Sequence, residues 1–109
     1  MSELVGMATD ANFKTEVEDA KLPTLVDFWA PWCGPCRVVG PIVEDLAKEF
    51  SGRLKVMKLD IDDNPQVPTK LRISGIPTVT LFKGGRIVEQ IVGAMPKRIF
   101  VDMVEKHLD

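Results

Sequence analysis

Two cysteines, Cys33 and Cys36, are the residues of this sequence best suited to do chemistry. Thiols separated by two residues can close a small disulfide ring if the backbone turns between them, as it does where a helix starts. The segment follows a predicted strand and opens a predicted helix, whose free N–H groups and positive dipole end stabilise a thiolate. Because the thiolate is the species that attacks disulfides, the spacing predicts a thiol–disulfide exchange site.

The two thiols are expected to have different tasks. Cys33 lies at the edge of the predicted helix and should be the exposed nucleophile, whereas Cys36 lies one turn further in and should be shielded. Cys33 would form a mixed disulfide with a substrate, and Cys36 would then attack Cys33 and release the reduced substrate. A second thiol held within reach should complete this step much faster than a free thiol.

Two other interpretations of the cysteine pair compete with redox chemistry. The pair could be half of a zinc site, but structural zinc usually needs four Cys or His ligands and only His107 remains. The pair could also be two inert core thiols, but Gly34 and Pro35 between them, at a helix start, argue against that. The ring is too short to stabilise the fold by closing a long loop. We therefore expect redox-active thiols with no metal and no bound cofactor.

The elements that must position the pair are a strand before it and a helix after it. Residues 24–30 form an almost continuous apolar run, which is typical of a central strand covered on both faces. The following helix has a single apolar stripe and ends at Gly52; the stripe consists of Val39, Ile42, Val43, Leu46, Ala47 and Phe50.

The rest of the chain continues the alternation of strands and helices. Further strands are predicted over residues 4–7, 54–60, 78–83 and 86–92, and Gly84-Gly85 joins the last two as a hairpin. Three more helices are predicted: one capped by Thr9 or Asp10 and running to Ala20, a short one capped at Asn64-Pro65, and one opened by Pro96. This order predicts an α/β fold, with a mixed sheet of about five strands flanked by about four helices, in a single domain over residues 1–109.

Composition sets limits on function. The chain has 109 residues, of which 45% are hydrophobic and 28% charged, so one ordinary globular domain is expected. The net charge of −2 is spread without a basic stripe, which disfavours nucleic acid as a partner. No apolar run is long enough to span a bilayer, and the first residues lack a signal-peptide pattern. We expect a cytoplasmic monomer.

The segment from Asp27 to Cys36 resembles the active-site segment of the thioredoxin family. Further matches follow in register over nearly the whole chain, at Pro41, Lys58, residues 60–62, Asn64-Pro65, and residues 75–78, 82–85 and 92–94. The resemblance implies the thioredoxin fold, reduction of disulfides in protein substrates, and recycling by an NADPH-linked thioredoxin reductase. Two departures, Val67-Pro68 and Leu71-Arg72, affect the expected short helix and the choice of partners, not the active-site motif.

Asp27 and Lys58 are the candidate catalytic residues beside the cysteines. If its strand is central, Asp27 is buried, its pKa is raised, and it can exchange a proton with Cys36. The resemblance implies that role, and the alternative is an ordinary edge carboxylate facing water. Lys58 is either an ion partner of Asp27 or a solvated strand lysine.

Several residues are assigned to substrate docking by the resemblance. Pro77 would be cis and lie against the dithiol, although most X–Pro bonds are trans; it also lacks an N–H, which would leave the neighbouring Ile76 backbone free to pair with an extended substrate. Trp32 is expected at the surface, on the loop between strand and helix, although tryptophans are more often buried. The implied docking patch comprises Trp32, Ile61, Gly75, Ile76, Val92, Gly93 and Ala94.

Two rival functions remain open at this point. A disulfide donor or isomerase would use the same residues as a reductase, and the redox potential would separate them. The Gly34-Pro35 pair resembles that of reducing thioredoxins more than that of isomerases or glutaredoxins. A binding module would use the apolar patch and ignore the thiols.

Overall fold

The computed structural model describes residues 3–108. Met1, Ser2 and Asp109 lie outside the described residues, so the predicted single domain over residues 1–109 stays a prediction. The described elements are strands β1 (Val5–Met7), β2 (Thr24–Trp29), β3 (Lys55–Asp60), β4 (Thr78–Lys83) and β5 (Arg86–Val92), helices α1 (Cys36–Glu49), α2 (Gln66–Lys70) and α3 (Lys97–Lys106), and a π-helix over Lys14–Glu18. The α/β class and the number of helices and strands agree with the prediction.

The five strands form one mixed sheet in the order β1-β3-β2-β4-β5. Strands β1, β3 and β2 are parallel, and β4 and β5 are antiparallel to their neighbours. Strand β2 is central, and its register places Asp27 between Lys58 of β3 and Val79 of β4. The apolar run therefore predicted correctly the strand that carries the chain into the cysteine pair.

Each face of the sheet packs against its own helices. On one face, Leu25 of β2 belongs to a core formed with α1 and α3, which contribute Val39, Val43, Leu46, Phe100, Met103 and Val104. On the other face, Val26 and Phe28 pack with Phe13 and Val17 of the N-terminal segment and with Val67 of α2. Since side chains alternate along a strand, Asp27 and Trp29 share the face of Leu25, beneath α1.

The N-terminal helix predicted to run to Ala20 is wrong in length and type. The structure has turns followed by a five-residue π-helix, Lys14–Glu18, closed by a bond from the Asp19 N–H to the Lys14 carbonyl. Thr9 does cap its turn, because its Oγ1 accepts the Asn12 N–H at 3.0 Å. The apolar residues Phe13 and Val17 are buried as expected, so packing holds this segment although it is too short for a stable α-helix.

The predicted cap of α2 is also wrong. Asn64 does not cap the helix; its Oδ1 accepts the Asp10 N–H at 2.9 Å. The cap is Asp10, whose carboxylate oxygens accept the N–H groups of Gln66 at 3.1 Å and Val67 at 2.9 Å. A cap supplied from more than fifty residues away leaves no local sequence signal. The Gly84-Gly85 hairpin is confirmed, with φ angles of 59° and 79°.

Candidate active site

The two cysteines meet at the N-terminus of α1, directly after the end of the central strand. Cys33 and Cys36 form a disulfide, with their Cα atoms 5.3 Å apart. The Cys36 N–H donates to the Cys33 Sγ at 3.2 Å, and the Cys33 N–H donates to the Ala30 carbonyl at 3.1 Å. The sulfur of Cys33 thus accepts a free N–H of the helix as a capping side chain does. In the reduced protein this N–H and the helix dipole favour a thiolate at Cys33.

The expected difference in exposure between the two cysteines is not found. Cys33 is 4% and Cys36 is 6% exposed, so the prediction of an exposed Cys33 is wrong for this disulfide form. The disulfide draws both residues into a small apolar cluster with Ala30, against which Trp29, Ile61 and Ile76 pack. The two sulfurs therefore differ in hydrogen bonding and in position on the helix, not in burial.

Asp27 lies buried below this helix start. Asp27 is 1% exposed, and neither of its carboxyl oxygens has a hydrogen-bond partner among the described residues. Loss of solvation by burial raises the pKa of Asp27 to about 7, against a smaller lowering by the charge of Lys58. The alternative of a solvated edge carboxylate is excluded, and the carboxyl can take up or release a proton near neutral pH.

Lys58 acts on Asp27 through its charge, as the ion-partner alternative expected, but without direct contact. Within residues 3–108 it forms no salt bridge, so the direct ion pair with Asp27 is absent. Its Nζ instead lies 4.5 Å from the centroid of the Trp29 ring. The ring face is an electrostatic partner for the ammonium, and the charge of Lys58 lowers the pKa of Asp27.

An open groove of about 900 Å³ runs beside the cysteine pair, between α1 and the ends of β2 and β3. Trp29 and Lys58 line its floor, and Cys36 lies at one end. Helix α1 contributes the charged residues of the other wall, which are Arg37, Glu44, Asp45 and Lys48. The groove is open to solvent and reaches Cys36.

The cis bond expected at Pro77 and the surface position expected of Trp32 are both found. The Ile76–Pro77 peptide bond is cis. Trp32 is 67% exposed, and its indole Nε1 donates to both carboxylate oxygens of Asp62, at 3.0 and 3.2 Å. This bond fixes the ring on the loop between β2 and α1. Sequence reasoning missed Asp62, whose only signal was its place in a matching segment.

Besides Trp32, the structure gives contacts for five of the seven residues of the expected docking patch. Ile61 and Ile76 pack directly against the cysteines. The Gly93 N–H donates to the Pro77 carbonyl at 2.8 Å, and a Cβ on Gly75 would lie 4.0 Å from the exposed side chain of Val92. Ala94 follows at the surface. Gly93 has a φ of 96°, which accounts for glycine at that position.

Comparison with known proteins decides the family. The family model for thioredoxin matches residues 4–106. The chain belongs to the thioredoxin family. It is 52% identical to Thioredoxin 1 of Nostoc sp. over 100 residues, which cover 92% of this chain and 94% of that protein. It is 49% identical to a thioredoxin of Synechocystis sp. over the same shares of the two chains.

A chloroplast relative is nearly as similar. Thioredoxin M-type of Chlamydomonas reinhardtii is 47% identical over 104 residues, or 95% of this chain and 74% of that protein. Membership of the thioredoxin family, the fold and the activity expected from the cysteine pair are all confirmed. The protein is a thiol–disulfide oxidoreductase with a redox-active disulfide.

This thioredoxin-family protein has neither a metal cluster nor a membrane-spanning helix within residues 3–108. Across residues 3–108, His, Cys, Asp and Glu side chains nowhere gather in a group of three that could hold a metal ion. In the same part of the chain, none of the helices combines the length and apolar character needed to cross a bilayer.

Proposed function

We propose that this thioredoxin-family protein reduces disulfides in protein substrates, with Cys33 as nucleophile and Cys36 as resolving thiol. The observation that supports this assignment is the bond from the Cys36 N–H to the Cys33 Sγ at the start of α1. The N–H at the helix start stabilises negative charge on the Cys33 sulfur, and the Cys36 sulfur accepts no such bond among the described residues. The thiol that is ionised first attacks first.

The reaction proceeds in two exchanges. The Cys33 thiolate attacks one sulfur of the substrate disulfide, a Cys33–substrate bond forms, and the other substrate sulfur leaves as a thiolate that takes a proton from water. Cys36 then loses its proton and attacks the Cys33 sulfur, and the second substrate sulfur leaves with the electron pair. Two electrons pass to the substrate, and the protein is left with the Cys33–Cys36 disulfide.

Asp27 is the group that takes the proton from Cys36 in the second exchange. It shares the sheet face beneath α1, and the groove beside Cys36 gives the site access to water. With its pKa raised to about 7, its carboxylate accepts a proton and returns it to solvent at neutral pH. No bound cofactor or metal enters either exchange.

Substrates and the reductase dock on the surface around the cysteines. Trp32 and Val92 are exposed apolar side chains, and Ile76, which precedes the cis Pro77, packs against the cysteine pair. A thioredoxin reductase returns two electrons to the disulfide after each cycle. We also propose that the protein acts in the cytoplasm as a monomer.

Reduction of insulin disulfides with dithiothreitol as electron donor tests the proposal. The parent should accelerate precipitation of the insulin B chain, and Cys33→Ser should show no acceleration over dithiothreitol alone. Cys36→Ser is the matched control, because it retains the nucleophile and should accumulate a mixed disulfide. Activity in Cys33→Ser, or mixed disulfides through Cys36 instead, would contradict the assignment.

The redox potential separates the reductase from a disulfide donor. A potential below that of the glutathione couple is expected for a reductase, and a potential well above it would favour oxidation of substrates. If partner function survived in the double variant Cys33→Ser/Cys36→Ser, a binding role independent of redox would replace both.

A further inference from the structure

Three side chains from two adjacent strands meet beneath the start of α1. Asp27 and Trp29 are two positions apart on β2 and therefore point to the same face of the sheet. Lys58 is the register partner of Asp27 on β3, so these two side chains lie side by side on that face. Trp29 and Lys58 line the groove, and Asp27 is buried behind them.

The Asp27 carboxyl and the Lys58 ammonium do not contact each other, although they lie on neighbouring strands. The Asp27 carboxyl has no hydrogen-bond partner among the described residues, although a lysine stands on the neighbouring strand. The Lys58 ammonium lies over the Trp29 ring, 4.5 Å from its centroid, and makes no salt bridge with any described carboxylate. The ring thus holds the cation beside the acid without neutralising it by contact.

We propose that Trp29 is a positioning residue for proton transfer at the dithiol: its indole face holds the Lys58 ammonium beside Asp27 and so sets the electric field at that carboxyl. The proposal rests on the proposed function, in which Asp27 takes the Cys36 proton. The proton moves from the Cys36 thiol to the Asp27 carboxylate as the Cys36 sulfur bonds to Cys33, and the substrate sulfur leaves with the electron pair.

Two opposing effects act on Asp27, and the ring controls one of them. Burial raises the pKa of Asp27, and the nearby charge of Lys58 lowers it. A lysine side chain is flexible and its ammonium is strongly hydrated, so without the ring it would extend into the groove. There water and salt would screen its charge. The loss of the ring should therefore weaken the lowering effect and raise the pKa of Asp27 further.

Other charged groups face the same groove, and their identity must be the same in every variant that is compared. Helix α1 contributes Arg37, Glu44, Asp45 and Lys48, and the neighbouring position on β4 is the uncharged Val79. All of these groups remain unchanged in the variants below. The disulfide form has no titrating thiol, so the pH dependence of Asp27 can be followed there without interference from the cysteines.

The test is a double-mutant cycle on the titration of Asp27. Carbon-13 NMR of its carboxyl group would be followed against pH in the disulfide forms of the parent, Trp29→Leu, Lys58→Met and the double variant. Positioning by the ring predicts that Trp29→Leu raises the pKa of Asp27 in the presence of Lys58. In the Lys58→Met background, Trp29→Leu should not raise it, so the two changes should be strongly non-additive.

A purely structural role for Trp29 predicts a different result. If the ring only covers Asp27, its removal lets water reach the carboxyl and lowers the pKa by the same amount in both backgrounds. Equal shifts in the two backgrounds would overturn the proposal. Trp29→Phe retains an aromatic face and should give a smaller rise than Trp29→Leu; if Trp29→Leu does not fold, the same cycle run with Trp29→Phe decides the question.

A kinetic readout links the positioning to function. The alkaline shift of Asp27 in Trp29→Leu should move the pH profile of insulin reduction in the same direction, and Lys58→Met should move it alike. An unmoved profile in both variants would overturn the link to proton transfer. The proposed function has its own test, since it fails if Cys33→Ser retains activity. The titration of Asp27 is measured in the disulfide form and requires no turnover, so the two failures can be told apart.

Discussion

Asp10 and Asp27 show two opposite uses of a carboxyl group in one small protein. Asp10 lies half-buried at the start of α2, where its two oxygens accept the N–H groups of Gln66 and Val67 and its own N–H is bound by Asn64. Asp27 lies fully buried in the central strand, with no partner for either oxygen among the described residues. One carboxyl satisfies a helix end, and the other is left unsatisfied.

The difference between them separates stability from function. A carboxylate that accepts backbone N–H groups at a helix start stabilises the fold. A buried carboxyl without partners destabilises the charged form, so its pKa rises into the range where it can exchange protons. The active-site end of this molecule therefore holds a group whose chemistry depends on its being poorly stabilised.

The largest effect expected from this contrast is the change with pH in the free energy of unfolding that Asp27 causes. With a pKa of about 7 in the folded state against 3.8 in the unfolded state, Asp27 binds more protons when folded between these values. Stability from this group is therefore fully present below about pH 4 and is lost as the pH rises to 7, by about 4 kcal/mol. Asp27→Asn removes the titration, so its stability relative to the parent should increase over that pH range.

Urea unfolding of the parent and Asp27→Asn at a series of pH values measures this difference. Both proteins should be compared in the disulfide form, so that the thiols do not contribute. A free-energy difference that stays constant from pH 4 to pH 8 would show that Asp27 is solvated and ionises normally in the folded protein.

Asp10 should behave in the opposite way. Asp10→Ala removes the acceptor for two backbone N–H groups of α2 and should destabilise the protein by about 1–2 kcal/mol. Asp10→Asn is the matched control, because its side-chain oxygen still accepts a hydrogen bond, and it should lose less. Equal urea midpoints for Asp10→Ala and the parent would show that the cap contributes nothing to stability.

The smallest expected effect on stability comes from a substitution just after the C-terminus of α2. Arg72 has a φ of 59°, in the left-handed region that favours glycine, where the Ile73 N–H donates to the Pro68 carbonyl. Arg72→Gly should relieve this strain and stabilise the protein by about 0.5–1 kcal/mol. Arg72→Ala keeps the strain and removes the charge, so a gain in both variants would point to the charge and not to the backbone.

Local pattern accounts for much of the fold and for the reactive pair. The apolar run before Cys33, the apolar stripe after it and the Gly84-Gly85 turn each depend on neighbours in sequence, and each was predicted correctly. Two differences arose where a residue distant in sequence intervened, whereas the N-terminal segment is simply too short for a stable α-helix. Asp10 replaced Asn64 as the cap of α2, and Trp29 replaced Asp27 as the contact of Lys58.

The sequence by itself determined the order of elements and the two sulfurs that react, because spacing and periodicity act over short stretches of chain. Its resemblance to known motifs indicated the family. Only the tertiary structure decided the environment of each charged group. The pKa of a carboxyl depends on which atoms from other strands and helices replace water around it. Asp10, which caps a helix, and Asp27, which is a buried acid, therefore acquire their different environments only when the sheet and its helices are assembled.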